Sequence, residues 1–204
     1  MLHYETIDTE LLELLKKIQT IQDFSELRLV GGTSLALQYG HRKSVDIDLF
    51  GKLDLNAEEI SEILSNCGSV TQIKRSANIN IFEIAGIKVD IVNYHYPWLK
   101  PHIDIDGLRL AQAEDIAAMK ISAITGRGTK KDFVDLFELL NHFSLEDILS
   151  FYKSKYADGS SYLALKCMSY FDDAENNPDP IMLTAFSWTQ IKKKIESEVN
   201  TYLK

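Results

Sequence analysis

Asp46 and Asp48 stand one residue apart in the run VDIDLF, Val45 to Phe50, where the alternate positions are apolar. In an extended chain residues i and i+2 share a face, and at about 3.3 Å per residue these two side chains leave the backbone roughly 7 Å apart. Their carboxylates can converge on one cation, and Mg²⁺ takes hard oxygen ligands of this kind. Asp90 is the third candidate ligand. It lies in the apolar run IKVDIV, Ile87 to Val92, with Val89 and Ile91 directed to the opposite face. An isolated buried carboxylate is costly, so an acid here is expected to be protonated, paired or metal-bound. If its strand lies beside Val45–Phe50, the three acids share one face while Val45, Ile47 and Leu49 are buried on the other. Two divalent ions about 3.5–4 Å apart on such acids clamp both ends of a phosphoryl transfer. The competing accounts are a solvated turn for the Asp pair alone, and a strand-edge acid beside Lys88 for Asp90 alone.

Gly31 and Gly32, ahead of Thr33 and Ser34, add a second element of chemistry. A strand that ends in two glycines and enters a helix at Thr33 or Ser34 lets backbone N–H groups and hydroxyls approach an anion closely, aided by the helix N-terminus. Neither GxxxxGK[ST] nor GxGxxG is present, which excludes the Walker-loop and dinucleotide-fingerprint classes. Further along, Lys120, Arg127, Lys130 and Lys131 form a stretch with no acid until Asp132. Lys120 and Arg127 can neutralise phosphates, and Asp132 can orient a base or an acceptor hydroxyl. Read alone, these cations are solvated helix faces, and Asp132 and Asp135 are acids favouring a helix N-terminus.

The elements that must position these residues fall into two halves. Leu11, Leu12, Leu15 and Ile18 form a helical stripe behind an Asp8 cap, Leu27–Val30 reads as a strand, and a short helix runs from Ser34 to Tyr39 with Gly40 as its stop. Asn56 and Glu59 form a capping box for a helix towards Asn66. Extended segments follow at Val70–Arg75, Asn78–Ile84 and Ile87–Val92, with hairpin signals at Ala85-Gly86 and Asp106-Gly107. From Ala113 the pattern is helical: Asp115–Thr125, Lys130–Asn141, Leu145–Tyr156, Ser160–Phe171 and Trp188–Tyr202, with caps at Ser144 and Ser187 and a loop at Asp172–Pro180. The expected class is α+β: residues 1–112 as a mixed sheet with flanking helices, and residues 113–204 as a helical region packed on it.

A chain of 204 residues with 45% hydrophobic content can bury a genuine core. No apolar run reaches the roughly 20 residues that span a bilayer, and the N-terminus lacks the pattern of a signal peptide, so a cytoplasmic place without membrane contact is expected. The net charge of −8 argues against coating of nucleic acid over the whole surface, though a local basic patch remains open. Cys67 and Cys167 have no metal or disulfide spacing and read as small buried hydrophobes. His3, His41, His95, His102 and His142 are dispersed and read as polar surface residues, with His41 the one near the acids. Tyr94, Tyr96 and Trp98 form an aromatic cluster expected to pack against the helical half.

The Gly-Gly, thirteen residues, D-hydrophobic-D-hydrophobic and a later Asp on an apolar strand together resemble the nucleotidyltransferase fold of the DNA polymerase β superfamily. More narrowly, GGTSLALQYGHRKSVDIDLF with KISAITGRGTKKDFVDLFELL resembles the AbiEii/AbiGii-type nucleotidyltransferase toxins of abortive-infection and toxin-antitoxin systems. The resemblance spans Leu27 to Leu140. It implies that Gly31, Gly32, Thr33 and Ser34 hold the triphosphate of an NTP and that Asp46, Asp48 and Asp90 ligate Mg²⁺, or Mn²⁺ in its place. It also implies that Lys120, Arg127, Lys131, Asp132 and Asp135 belong to the site. Arg42 matches the motif as well, as a phosphate contact or as an ion-pair partner of one of the three acids Asp46, Asp48 and Asp90. The implied reaction transfers NMP to an acceptor hydroxyl, RNA and in some members the 3′ end of tRNA, by a toxin with an antitoxin encoded nearby. Transfer to a protein or small-molecule hydroxyl, and a module that binds nucleotide or antitoxin without turnover, are the rival readings.

Overall fold

A computed structural model describes all residues, Met1–Lys204. The chain divides into two compact units: Met1–Gln38, Ser44–His95 and His102–Ala111 make the first, and Tyr39–Lys43, Tyr96–Pro101 and Gln112–Lys204 the second. The short segments 39–43 and 96–101, which the sequence pattern places with the first half, thus belong to the helical unit.

The first unit is a mixed sheet with helices. In chain order it runs α1 (Thr9–Gln19), β1 (Arg28–Leu29), α2 (Gly31–Tyr39), β2 (Ile47–Gly51), α3 (Ala57–Ser65), β3 (Val70–Lys74), β4 (Ile79–Ile84), β5 (Ile87–Asn93), β6 (Ile103–Ile105) and β7 (Leu108–Leu110). The sheet order is β3-β4-β5-β2-β1-β7-β6. β2 runs parallel to β5 and β1 parallel to β7, while the remaining neighbours are antiparallel. One face is the core: Ile47 and Leu49 of β2, Val89 and Ile91 of β5, and Phe82 and Ile84 of β4 pack with Leu15 and Ile18 of α1 and Ile60 and Leu64 of α3. The period-2 alternation of these strands leaves the opposite face to Asp48, Asp90 and Lys88.

Local chemistry explains the connections. α3 carries the full capping box, with Asn56 accepting from the Glu58 and Glu59 amides and Glu59 accepting from the Asn56 amide. The β4–β5 and β6–β7 hairpins turn through Ala85-Gly86 and Asp106-Gly107, all four with positive φ, the signature of a type I′ turn. Val45 departs from expectation. β2 begins only at Ile47, and Val45 is 55% exposed, so the buried alternation starts one step later than the sequence pattern suggests.

The second unit is a helical bundle of α4 (Ala113–Gly126), α5 (Lys130–Leu139), α6 (Leu145–Lys155), α7 (Ser161–Met168), α8 (Asp172–Glu175) and α9 (Trp188–Tyr202). The short α8 occupies the first part of the segment expected to be loop. Ile116, Ile121, Phe133, Leu136, Ile148, Ala164, Met168, Ile191 and Ile195 are among its buried apolar residues. Phe133 meets Phe171 at 4.9 Å and Trp188 at 6.0 Å between ring centroids. α5, α6 and α9 open on capping boxes at Thr129, Ser144 and Ser187. No helix is long and apolar enough to cross a membrane.

Candidate active site

The parallel ladder between β2 and β5 sets Asp48 directly beside Asp90. Neighbouring strands lie about 4.8 Å apart, so two half-buried carboxylates share one face at close quarters. Side chains of like charge so placed repel, and a cation between them relieves the repulsion. Lys88, two residues ahead of Asp90 and on the same face, puts Nζ 2.6 Å from Asp90 Oδ1. Asp46 lies two residues before Asp48, just ahead of β2, and is half-buried.

The glycines do more than end a strand. Gly31 is already the first residue of α2, with φ +67°, and a Cβ built on it would collide with the Asp48 carboxylate. Only a glycine lets the opening turn of α2 lie against that acid. The N–H groups of Gly31, Gly32 and Thr33 precede the first intrahelical bond, from the Ser34 amide to the Val30 carbonyl. Thr33 and Ser34 are fully buried. The Thr33 hydroxyl donates to the Asp46 carbonyl and shares a hydrogen bond with Ser44 Oγ at 2.8 Å, while Ser34 Oγ accepts from Gln38 Nε2 at 3.1 Å. Thr33 therefore pins the backbone of Asp46 to α2, a role that the sequence does not announce.

No three His, Cys, Asp or Glu side chains are clustered closely enough to hold a metal ion by themselves. The acids form an abreast pair with Asp46 upstream instead of a closed three-ligand cluster. That donor set still suits Mg²⁺, which is commonly held by one or two carboxylates together with substrate phosphates and waters. What fits such a group in this chain is the chemistry of the donor set: two half-buried carboxylates, Asp48 and Asp90, abreast on one face of the sheet.

In the second unit a different set of candidates is assembled. Asp135, fully buried, accepts from Arg42 Nε at 2.7 Å and Arg42 Nη2 at 2.9 Å, and shares a hydrogen bond with His41 Nε2 at 2.8 Å. Lys120 Nζ lies 2.7 Å from Asp135 Oδ2 and 3.0 Å from Asp132 Oδ1. Asp132 Oδ2 accepts from the Thr129 amide at 3.2 Å and hydroxyl at 2.6 Å, closing the α5 capping box, and Arg127 Nε lies 3.6 Å away. Burial alone would push both carboxyls up. For Asp135 the Arg42 and Lys120 charges outweigh it and hold the group well below the usual carboxylate range. For Asp132 the Lys120 ammonium and the Thr129 hydroxyl do the same to a lesser degree. Burial opposes the charge on Lys120, but Asp135 and Asp132 more than offset it and raise its pKa.

Several sequence expectations change here. Arg42 is buried at 2% exposure and forks Asp135, an acid of the helical unit, where the sequence reading offers a phosphate or an acid of the Asp46, Asp48 and Asp90 set. His41 is buried at 1% exposure in the same network and is not a surface residue. Lys130 is also buried, on Asp179 at 2.8 Å. Arg127 and Lys131 are exposed. The three aromatic residues part: Tyr94 meets Phe50 at 5.4 Å in the first unit, whereas Tyr96 meets Tyr156 at 4.7 Å and the Trp98 ring lies 4.5 Å from Lys155 Nζ in the second. Lys155 and Asp115, paired at 2.6 Å and both fully buried, carry no sequence signal beyond their charge. Both cysteines are partly exposed.

The Aquifex aeolicus (strain VF5) protein aq_aa25, of uncharacterised function, is 31% identical over 201 residues, covering 94% of this chain and 95% of its own. A Helicobacter pylori protein described as a nucleotidyltransferase superposes with a TM-score of 0.64 at 18% identity, over 94% of this chain and 91% of that one. The antibiotic-resistance factor ANT(2″)-Ia superposes with a TM-score of 0.54 at 15% identity, over 78% of this chain and 97% of that one. At these identities the structural likenesses establish a nucleotidyltransferase fold. The profile of the nucleotidyl transferase AbiEii toxins, of type IV toxin-antitoxin systems, matches residues 13–202. With the match running from α1 to the last turn of α9, the chain belongs to the AbiEii nucleotidyl transferase toxin family.

Proposed function

We propose that this chain transfers an NMP group from an NTP to an acceptor hydroxyl with the help of a divalent cation, Mg²⁺ or Mn²⁺. The observation that carries the reading is the β2–β5 register, which seats Asp48 beside Asp90 next to the glycine-opened turn of α2. Asp46, Asp48 and Asp90 would hold the cation, and a bound cation supplies charge neutralisation at the α-phosphate and at the attacking and leaving oxygens. The first-turn N–H groups of Gly31, Gly32 and Thr33 receive the triphosphate, as helix N-termini do for anions. The acceptor oxygen bonds to the α-phosphorus as its proton passes to solvent water, the α–β bridging P–O bond breaks, and pyrophosphate departs with the electron pair.

The acceptor in this reading is RNA, the 3′ end of tRNA in particular, and the protein acts in the cytoplasm as the toxin of a pair whose antitoxin is encoded nearby. Arg127 and Lys131, exposed cations at the α4–α5 connection, are assigned to acceptor phosphates. Lys120 and Asp132, buried on each other, are assigned to positioning: Asp132 shapes the turn from Arg127 to Thr129 and Lys120 holds Asp132. The test is to incubate the protein with labelled NTPs, Mg²⁺ and total RNA. Label on RNA that disappears in Asp46→Ala and Asp48→Ala supports the reading, and transfer that survives both substitutions rejects the site. Label on protein or on a small molecule with RNA unchanged would replace the acceptor, and tight NTP binding without product would leave a binding module.

A further inference from the structure

We propose that Lys88 is a resident counter-ion of the acid pair, occupying the cation's place on Asp90 until a divalent ion displaces it. The inference rests on the reading of Asp48 and Asp90 as ligands and adds a residue that the motif does not contain. β5 places Lys88 and Asp90 on one face, and the ammonium sits 2.6 Å from Asp90 Oδ1, with side chains 42% and 17% exposed. The β2–β5 register sets Asp48 on the far side of Asp90 from β4. One monovalent ammonium thus rests on the Asp90 carboxylate, whose neighbour across the β2–β5 ladder is Asp48, and a divalent ion carries twice its charge into the same field.

The sheet also supplies a second place for the ammonium. In the antiparallel β4–β5 ladder Lys88 is the direct partner of Glu83, an exposed acid on the same face. Cross-strand pairs of opposite charge at this spacing attract. A small rotation of the four-carbon stem moves the ammonium from Asp90 to Glu83, so that Lys88 keeps an acid partner while the divalent ion takes its place on Asp90. Lys88 therefore lowers divalent-ion affinity and keeps the empty face neutral enough to hold its register, and Glu83 makes the release easier.

The experiment measures Mn²⁺ binding to the full chain by the loss of the free-ion electron paramagnetic resonance signal at low ionic strength, without nucleotide. Thermal denaturation in EDTA and in Mn²⁺ is recorded for the same samples. Wild type is compared with Lys88→Met, Lys88→Arg, Glu83→Gln and Asp90→Asn. Lys88→Met is expected to bind Mn²⁺ more tightly, on the order of tenfold, with a steeper dependence on NaCl. It should also melt lower than wild type in EDTA and gain more from Mn²⁺. Lys88→Arg should stay near wild type, Glu83→Gln should bind about twofold more weakly, and Asp90→Asn should lose binding. A folded Lys88→Met that binds Mn²⁺ no more tightly than wild type, while Asp90→Asn loses binding, overturns this inference alone. A wild type that binds no Mn²⁺, or an Asp90→Asn variant that binds as wild type does, overturns the reading of the acids as ligands and this inference with it.

Discussion

Replacing Asp135 by Asn removes one negative charge from the interior of the helical unit and changes almost no volume. In the wild type two cations, Arg42 and Lys120, face two carboxylates, Asp132 and Asp135, and all four side chains are buried. In the Asp135→Asn variant the cations outnumber the acids, and the new NH₂ group must point either at the Arg42 fork or at Lys120, donor against donor. Breaking one member of a buried ion-pair network strands the remaining charge and typically costs about 3–5 kcal/mol. Since domains are stable by only about 5–15 kcal/mol, that is a large fraction of the total. For a chain of this size, where each kcal/mol moves Tm by roughly 2–4 °C, the expected drop is about 10 °C. Urea and thermal denaturation followed by far-ultraviolet circular dichroism measure it. Pairing Arg42→Met with Asp135→Leu should recover more than half of the loss, because an apolar replacement of a buried pair is nearly neutral. A loss for Asp135→Asn below about 1 kcal/mol would refute the claim that this network holds the unit together.

Four further outcomes are expected, two from this network and two from backbone positions with positive φ. The stability gap between wild type and Asp135→Asn should be flat in the neutral range and close as pH falls below the ordinary carboxylate value of 3.8, because the folded-state pKa of Asp135 is depressed and its contribution is complete above 3.8. The contribution of Lys120, whose pKa is raised, is complete below 10.5 and should fade only above it, as denaturation across pH will read. Gly31→Ala forces a side chain into φ +67° and into the Asp48 carboxylate, and should cost at least about 1–2 kcal/mol by urea denaturation together with a loss of Mn²⁺ binding. Ala85→Asn, at φ 51° in the β4–β5 turn, should stabilise the chain by roughly 0.5–1 kcal/mol on the same measurement, since Asn tolerates the left-handed region better than Ala.

Local chemistry makes most of the elements legible in the sequence. The Asn56–Glu59 box, the Ser144 and Ser187 caps and both type I′ dipeptides act within a few residues, and each lies where the sequence places it. The alternation of Val89 and Ile91 around Asp90 likewise shows which side of β5 is core. The strand acids are legible by type, but their pairing is not. Asp48 and Asp90 become neighbours through a parallel register between strands distant in sequence, which no local pattern specifies. Thr33, His41 and Arg42 lie outside the same logic. A hydroxyl beside a glycine pair suggests an anion, yet the Thr33 hydroxyl closes on the Asp46 carbonyl, and the two basic residues before the acids turn to Asp135, 93 residues beyond Arg42. Such choices belong to tertiary contacts, where a polar group goes to the nearest partner that offsets its burial.

The proposed chemistry is tested most directly by following which phosphorus of the NTP reaches RNA. The protein is incubated with total RNA, Mg²⁺ and an NTP labelled at either the α- or the γ-phosphate, and the RNA is resolved on a gel. The expected result is α-label on RNA, no γ-label, dependence on the divalent ion, and a drop of about a hundredfold or more in Asp48→Asn. Transfer of γ-label, or α-transfer at the wild-type rate in folded Asp48→Asn, would contradict the assigned chemistry.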